Sequence, residues 1–122
     1  MAHIFVVDDD PDVVATITDA FLMFGHSVTS AKNGVQALEM FHNNYFDIAI
    51  IDVEMPLMNG LELTRELKKF RESFPIVLIT GYSHLYQPQD VLSLDVEAFL
   101  KKPLNLQNLV SIVEQILSRP GA

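Results

Sequence analysis

The chain has 122 residues, 49% of them hydrophobic and 20% charged, with a formal net charge of −8 and no cysteine. That length suits one domain spanning residues 1–122, and that balance suits an ordered globular chain rather than a linker. The missing cysteines exclude disulfides, thiolate metal sites and a cysteine nucleophile and fit a reducing cytoplasm, while 8 Lys and Arg against 16 Asp and Glu argue against direct nucleic-acid binding.

The first apolar run, "IFVV" (Ile4–Val7), is short, lacks a basic flank and ends in charge, which suits a strand and neither a leader peptide nor a membrane span. It runs directly into Asp8, Asp9, Asp10 and Pro11. Asp10 suits the N-cap of a helix with Pro11 in its first turn, which leaves Asp8 and Asp9 in need of a counter-charge or a purpose. Val13, Ile17, Ala20, Phe21 and Phe24 then form one helical stripe, stopped by Gly25. "SVTSA" (Ser27–Ala31) reads as a more polar strand, hence an edge strand. After the turn Asn33-Gly34, a second helical stripe holds Val35, Leu38 and Phe41.

"IAII" (Ile48–Ile51) is the third strand, and Leu63 and Leu67 mark a third helix after Asn59-Gly60. "IVLI" (Ile76–Ile79) is the fourth strand, followed by a stunted helix over Pro88 to Leu94. "AFL" (Ala98–Leu100) is the fifth strand. Leu106, Leu109, Val113, Ile116 and Leu117 form the last helix, which ends before Arg119-Pro120-Gly121. Continuous β-branched runs alternating with helices predict an α/β fold with a parallel sheet covered on both faces.

Such sheets bind ligands beyond the carboxyl ends of their strands. Asp8 and Asp9 follow the first strand, Asp52 the third, Thr80 the fourth, and Lys101, Lys102 and Pro103 the fifth. Three carboxylates, a hydroxyl and an ammonium therefore converge on one rim. At ~4 Å and an effective dielectric of ~20, each carboxylate pair costs about 4 kcal/mol before screening. Mg²⁺ would remove that cost, and a lysine beside a hydroxyl suits phosphoryl oxygens. The pattern points to phosphoryl transfer with a carboxylate nucleophile. Asp52 is assigned that role because it stands alone, followed by "VEMPLMNG" (Val53–Gly60), in which Pro56 and Gly60 can set an open turn. Glu54, two residues on, can offer its backbone carbonyl to the metal. Taken alone, the acidic run would be a helix cap and a solvated turn; Asp52 and the lysines that follow the fifth strand, in register with it, reverse that reading. His3, His26, His42 and His84 have no ligand spacing and read as surface or partly buried residues.

"VVDDD" (Val6–Asp10), "IIDVEMPLMNG" (Ile50–Gly60), "LITG" (Leu78–Gly81) and "FLKKP" (Phe99–Pro103) together resemble the receiver domain of bacterial two-component response regulators, a superfamily that includes the chemotaxis regulators. The resemblance spans essentially the whole chain. It implies a flavodoxin-like (βα)5 three-layer sandwich with strand order 2-1-3-4-5. It implies that Asp52 accepts a phosphoryl group from a sensor histidine kinase or histidine phosphotransfer protein. Asp8, Asp9, Asp52 and the Glu54 carbonyl would hold Mg²⁺, and Lys102 would bind the phosphate beside a solvated Lys101. Thr80 and Phe99 match the family's switch pair, relaying to the face formed by the fourth helix, fifth strand and fifth helix, while Glu54 and Tyr82 tune dephosphorylation.

The resemblance further implies a cytoplasmic signalling domain, able to phosphorylate itself from a donor and to lose the group again, rather than an enzyme. An output domain or downstream protein, and a homodimer formed on phosphorylation, are the associated partners. Three residues depart from the family pattern: Phe99 replaces the commoner tyrosine, Asp95 stands where glycine is frequent, and Pro88 interrupts the fourth helix. Two other functions compete. A phosphohydrolase with an aspartyl-phosphate intermediate would use Glu54 as its acid/base, but 122 residues leave no room for a substrate cap. A pure interaction module would not need Asp8, Asp9, Asp52, Thr80 and Lys102 together.

Overall fold

Alternate residues of the central strands serve two different cores. In the computed structural model, which describes residues 1–81 and 93–120, β1 (His3–Val7), β3 (Ile48–Asp52) and β4 (Ile76–Thr80) are flanked by β2 (Ser27–Ala31) and β5 (Ala98–Lys101). The sheet order is β2-β1-β3-β4-β5, and every pair is parallel. Phe5, Val7, Ala49, Ile51, Ile76 and Leu78 point to one face, and Ile4, Val6, Ile48, Ile50, Val77 and Ile79 to the other. Because both sets are apolar, the strands read as unbroken hydrophobic runs.

Helices α2 (Gly34–Asn43) and α3 (Gly60–Phe70) cover the first face through Ala37, Phe41, Leu63 and Leu67. Helices α1 (Pro11–Met23) and α4 (Leu106–Leu117) cover the second through Ile17, Phe21, Leu109, Val113 and Ile116. The three-layer flavodoxin-like fold and the edge position of β2 are as expected. The expected helix over Pro88 to Leu94 falls largely outside the described residues, as do Tyr82 and His84.

The caps explain where the helices start. Asp10 accepts from the Asp12 N–H ahead of α1, Asn33 from Gln36 ahead of α2, and Asn105 from Asn108 ahead of α4. Before α3, Asn59 and Glu62 form a reciprocal capping box.

Two stripe residues are not core. Phe24 is 60% exposed because α1 stops at Met23 and the chain turns through Gly25 at φ 84°, carrying Phe24 off the buried stripe. Val35 is 54% exposed because Gly34 faces inward instead; a Cβ on Gly34 would lie 2.8 Å from the Met58 Cβ, and one residue along a helix rotates the side chain by about 100°. Asp95 adopts φ 55°, the left-handed conformation that glycine commonly supplies. Among the described residues, no helix is long and apolar enough to cross a membrane.

Candidate functional site

The parallel ladder continues past the strand ends and thereby fixes the rim. The Val53 N–H donates to the Ile79 carbonyl at 2.8 Å, the Lys102 N–H to the Thr80 carbonyl at 2.8 Å, and the Asp8 N–H to the Ala31 carbonyl at 3.1 Å. Residues 8, 52, 80 and 102 thus belong to one layer, although they are far apart in the chain.

Asp8 and Asp52 are each only 3% exposed, whereas Asp9 is exposed. One carboxylate oxygen from each of Asp8, Asp9 and Asp52 lies within 4.8 Å of the others, a spacing a single hard divalent cation can bridge. The Lys102 ammonium stands 3.4 Å from Asp52 and 3.6 Å from Asp8. Lys101 is exposed at the edge strand, as expected for a solvated neighbour.

Burial dominates the electrostatics. It pushes the Asp52 carboxyl up to about 7, helped by the neighbouring Asp8 charge and opposed by Lys102. Asp8 is also raised, by burial first, against the lowering effect of the Asp10 N–H, which donates to Asp8 Oδ1 at 2.9 Å. For Lys102, burial alone would lower the value, but the carboxylates of Asp52 and Asp8 outweigh it and hold the ammonium charged. One lysine therefore serves two buried carboxylates. The excess negative charge is what a divalent cation would neutralise.

Thr80 is fully buried at the end of β4, and its hydroxyl donates to Glu54 Oε2 at 2.5 Å. The Gly81 N–H donates to Glu54 Oε1 at 2.9 Å. The Glu54 N–H in turn faces Asp52 Oδ1 at 3.3 Å. Phe99 is half-buried on β5 opposite Leu78 and packs on the α2/α3 side of the sheet, two residues before Lys101, which pairs with Thr80.

The loop after Asp52 contains features that the sequence does not announce. The left-handed residue is Leu57, at φ 73°, inside a tight turn in which the Met58 N–H donates to the Pro56 carbonyl at 2.8 Å; it is not Gly60. Leu57 is 80% exposed, so an apolar side chain in a disfavoured backbone conformation stands beside the acidic rim. Gly60 has a different function: a Cβ there would come within 2.8 Å of Val53 Cα, so α3 can begin directly against the end of β3 only with glycine. The engagement of the Glu54 side chain is likewise not legible in sequence, since it depends on a partner 26 residues away.

Residues 4–114 match the response regulator receiver domain family. The response regulator SaeR of Staphylococcus aureus is 29% identical over 119 residues, which cover 98% of this chain and 52% of SaeR. The chain thus spans about half the length of the curated relatives it matches. Among solved structures, the response regulator TrrA of Thermotoga maritima, in complex with Mg²⁺-BeF, is 30% identical with a TM-score of 0.86, the match covering 95% of this chain and 99% of that one. The receiver domain of the Francisella response regulator 1452 is 25% identical with a TM-score of 0.90, covering 98% of each chain.

Proposed function

The chain belongs to the response regulator receiver domain family, and from that premise we propose that Asp52 accepts a phosphoryl group from the phosphohistidine of a sensor histidine kinase or a histidine phosphotransfer protein. The observation that carries this reading is Asp52 itself: a 3%-exposed carboxylate at a strand end, with Asp8 and Asp9 on one side and the Lys102 ammonium 3.4 Å away. A carboxylate oxygen attacks phosphorus, the O–P bond forms as the donor's N–P bond breaks, and the imidazole leaves with the electron pair. Lys102 exchanges part of its contact with Asp8 and Asp52 for a phosphoryl oxygen. Asp8, Asp9, Asp52 and the Glu54 carbonyl are the groups that would hold Mg²⁺, and the crowded carboxylates fit such an ion. When bound, Mg²⁺ neutralises charge on those carboxylates and on the phosphoryl oxygens.

Thr80 then turns its hydroxyl to the phosphoryl group, and Phe99 answers with a rotamer change that is relayed to the face of β5, α4 and the expected helix over Pro88 to Leu94, which falls largely outside the described residues. The relay is a shift between pre-existing states biased by the modification. Tyr82, outside the described residues, and Glu54 set how fast the acyl phosphate hydrolyses. An output domain or downstream protein reads the change in the cytoplasm, with dimerisation on phosphorylation as one route. The hydrolase alternative is weakened by Glu54, whose two carboxylate oxygens are engaged by Thr80 and Gly81 rather than free for acid/base work.

The test is incubation with Mg²⁺ and acetyl phosphate, followed by phosphate-affinity electrophoresis. One adduct per chain, absent in Asp52→Asn, is expected. Steady turnover of varied organic phosphates without an adduct would favour the hydrolase, and no adduct at all the inert module.

A further inference from the structure

The donors at the end of β4 are already taken by an anion. Thr80 Oγ1 and the Gly81 N–H point to the two oxygens of one carboxylate, at 2.5 and 2.9 Å, and that carboxylate belongs to Glu54. We propose that the Glu54 side chain is an internal stand-in for the phosphoryl group: it holds the β4 donors in the unmodified protein, and acceptance at Asp52 requires it to leave. This inference rests on the reading of Asp52 as phosphoacceptor.

Three features of the geometry support it. First, a hydroxyl and the next backbone N–H converging at a strand end form an oxyanion-binding pair, here a buried hydroxyl that must be satisfied by something and an exposed N–H beside it. Thr80 is fully buried, and the carboxylate gives each donor its own oxygen. Second, the reach requires no rearrangement. Asp52 is paired with Ile79, and the Val53 N–H extends that ladder to the Ile79 carbonyl, so Glu54 emerges directly beside Thr80. Third, Lys102 is engaged elsewhere, with its ammonium on Asp52 and Asp8. The β4 donors are therefore where Glu54 and an incoming phosphoryl group compete.

A phosphoryl group on Asp52 carries up to two charges and three acceptor oxygens into the same crevice. It cannot share Thr80 and Gly81 with a carboxylate, because two anions on one donor pair repel at close range. Glu54 thus sets a threshold that an incoming phosphoryl group must overcome, and by the same competition it weakens the hold of the β4 donors on the bound group afterwards. A glutamine at this position would present one oxygen and one NH₂, so it would satisfy only one donor and repel the other.

The experiment is a beryllofluoride titration in the presence of Mg²⁺, followed through the ¹H–¹⁵N resonance of the Gly81 amide, with wild type, Glu54→Ala, Glu54→Gln, Thr80→Ala, Glu54→Ala/Thr80→Ala and Asp52→Asn compared. Glu54→Ala should bind beryllofluoride about tenfold more tightly than wild type, the factor for one displaced hydrogen bond of ordinary net worth, with Glu54→Gln between the two. The gain should shrink in the Thr80→Ala background, and the Gly81 resonance of Glu54→Ala should move before any beryllofluoride is added. A merely structural strut predicts equal or weaker binding in Glu54→Ala and Glu54→Gln; that result, with an adduct still lost in Asp52→Asn, overturns the stand-in and leaves the phosphoacceptor reading intact. Absence of any Asp52-dependent adduct in all the variants overturns both.

Discussion

The two ends of the sheet treat polar groups in opposite ways. At the amino ends of the strands, the His3 N–H donates to Asp47 Oδ2 at 2.7 Å, and the His3 ring lies 3.0 Å from the Tyr45 carbonyl and 2.6 Å from the Thr29 hydroxyl. Arg71 donates to the Phe46 carbonyl at 2.7 Å and stacks over Tyr45 and Phe74. His26, buried, accepts from the Ala2 N–H and pairs through its other ring nitrogen with Glu114 on α4. Donors meet acceptors there, and the end is closed. At the carboxyl ends, two buried carboxylates share one lysine, and burial raises both. One end of the fold is settled, and the other holds unresolved charge that a ligand can relieve.

The largest way to break the comparison is Gly60→Ala. Its Cβ would press on Val53 Cα and on the end of β3, where no flexible side chain can give way. A loss of about 3 kcal/mol is expected, together with loss of the acetyl-phosphate adduct, because Asp52 sits on the displaced segment. Urea unfolding and the adduct assay check both; a stable, phosphorylatable variant would show that α3 can retreat without moving the site. Arg71→Ala strikes the settled end. It removes the bond to the Phe46 carbonyl and two cation–π contacts, for about 2 kcal/mol, or roughly 8 °C in Tm for a chain of this size, and should leave adduct formation unchanged.

The opposite sign is expected at the charged end. With its folded value raised to about 7 from an ordinary 3.8, Asp52 holds a proton in the native state that the unfolded chain has released. Its contribution therefore falls as pH rises from about 4 to about 7 and stays low above that. Asp52→Asn removes the penalty, so without Mg²⁺ it should raise Tm at pH 8 by roughly 5 °C and change little near pH 4. Mg²⁺ should close the gap by stabilising the wild type more than the variant. Identical melting curves at pH 8 would mean that Lys102 already neutralises the site.

This contrast also explains what was legible in the sequence. Asp8, Asp52 and Thr80 stand directly after apolar runs, with Asp9 and Lys102 one residue further on, so the strand ends carry them to one rim, while the choice of Lys102 over Lys101 comes from the family resemblance. The two-sided core was legible for the same reason, since Ile48–Ile51 and Ile76–Ile79 have no polar face. The settled end leaves no such trace: His26 meets Ala2 and Glu114 across 24 and 88 residues, and no spacing rule links them. Phe24 and Val35 were misplaced because helical periodicity says nothing of where a helix ends or which close contact sets its rotation. Leu57 at φ 73° was hidden because its turn residue is not glycine.

The finest test lies within the acidic trio. Asp8 and Asp9 are sequence neighbours, yet one is 3% exposed and the other lies in solvent. If both serve only as cation ligands, Asp8→Asn and Asp9→Asn should weaken Mg²⁺-induced stabilisation alike. Their metal-free behaviour should nevertheless differ. Asp9→Asn, an exposed substitution, should stay within about 0.5 kcal/mol, or roughly 2 °C, of the wild type. Asp8→Asn removes a buried carboxylate whose value burial raises, and should stabilise at neutral pH more than at pH 4, by less than Asp52→Asn because the Asp10 N–H and Lys102 partly repay its charge. Melting curves with and without Mg²⁺ separate burial from coordination; equal metal-free shifts for the two variants would place the conflict in mutual repulsion across the trio rather than in desolvation.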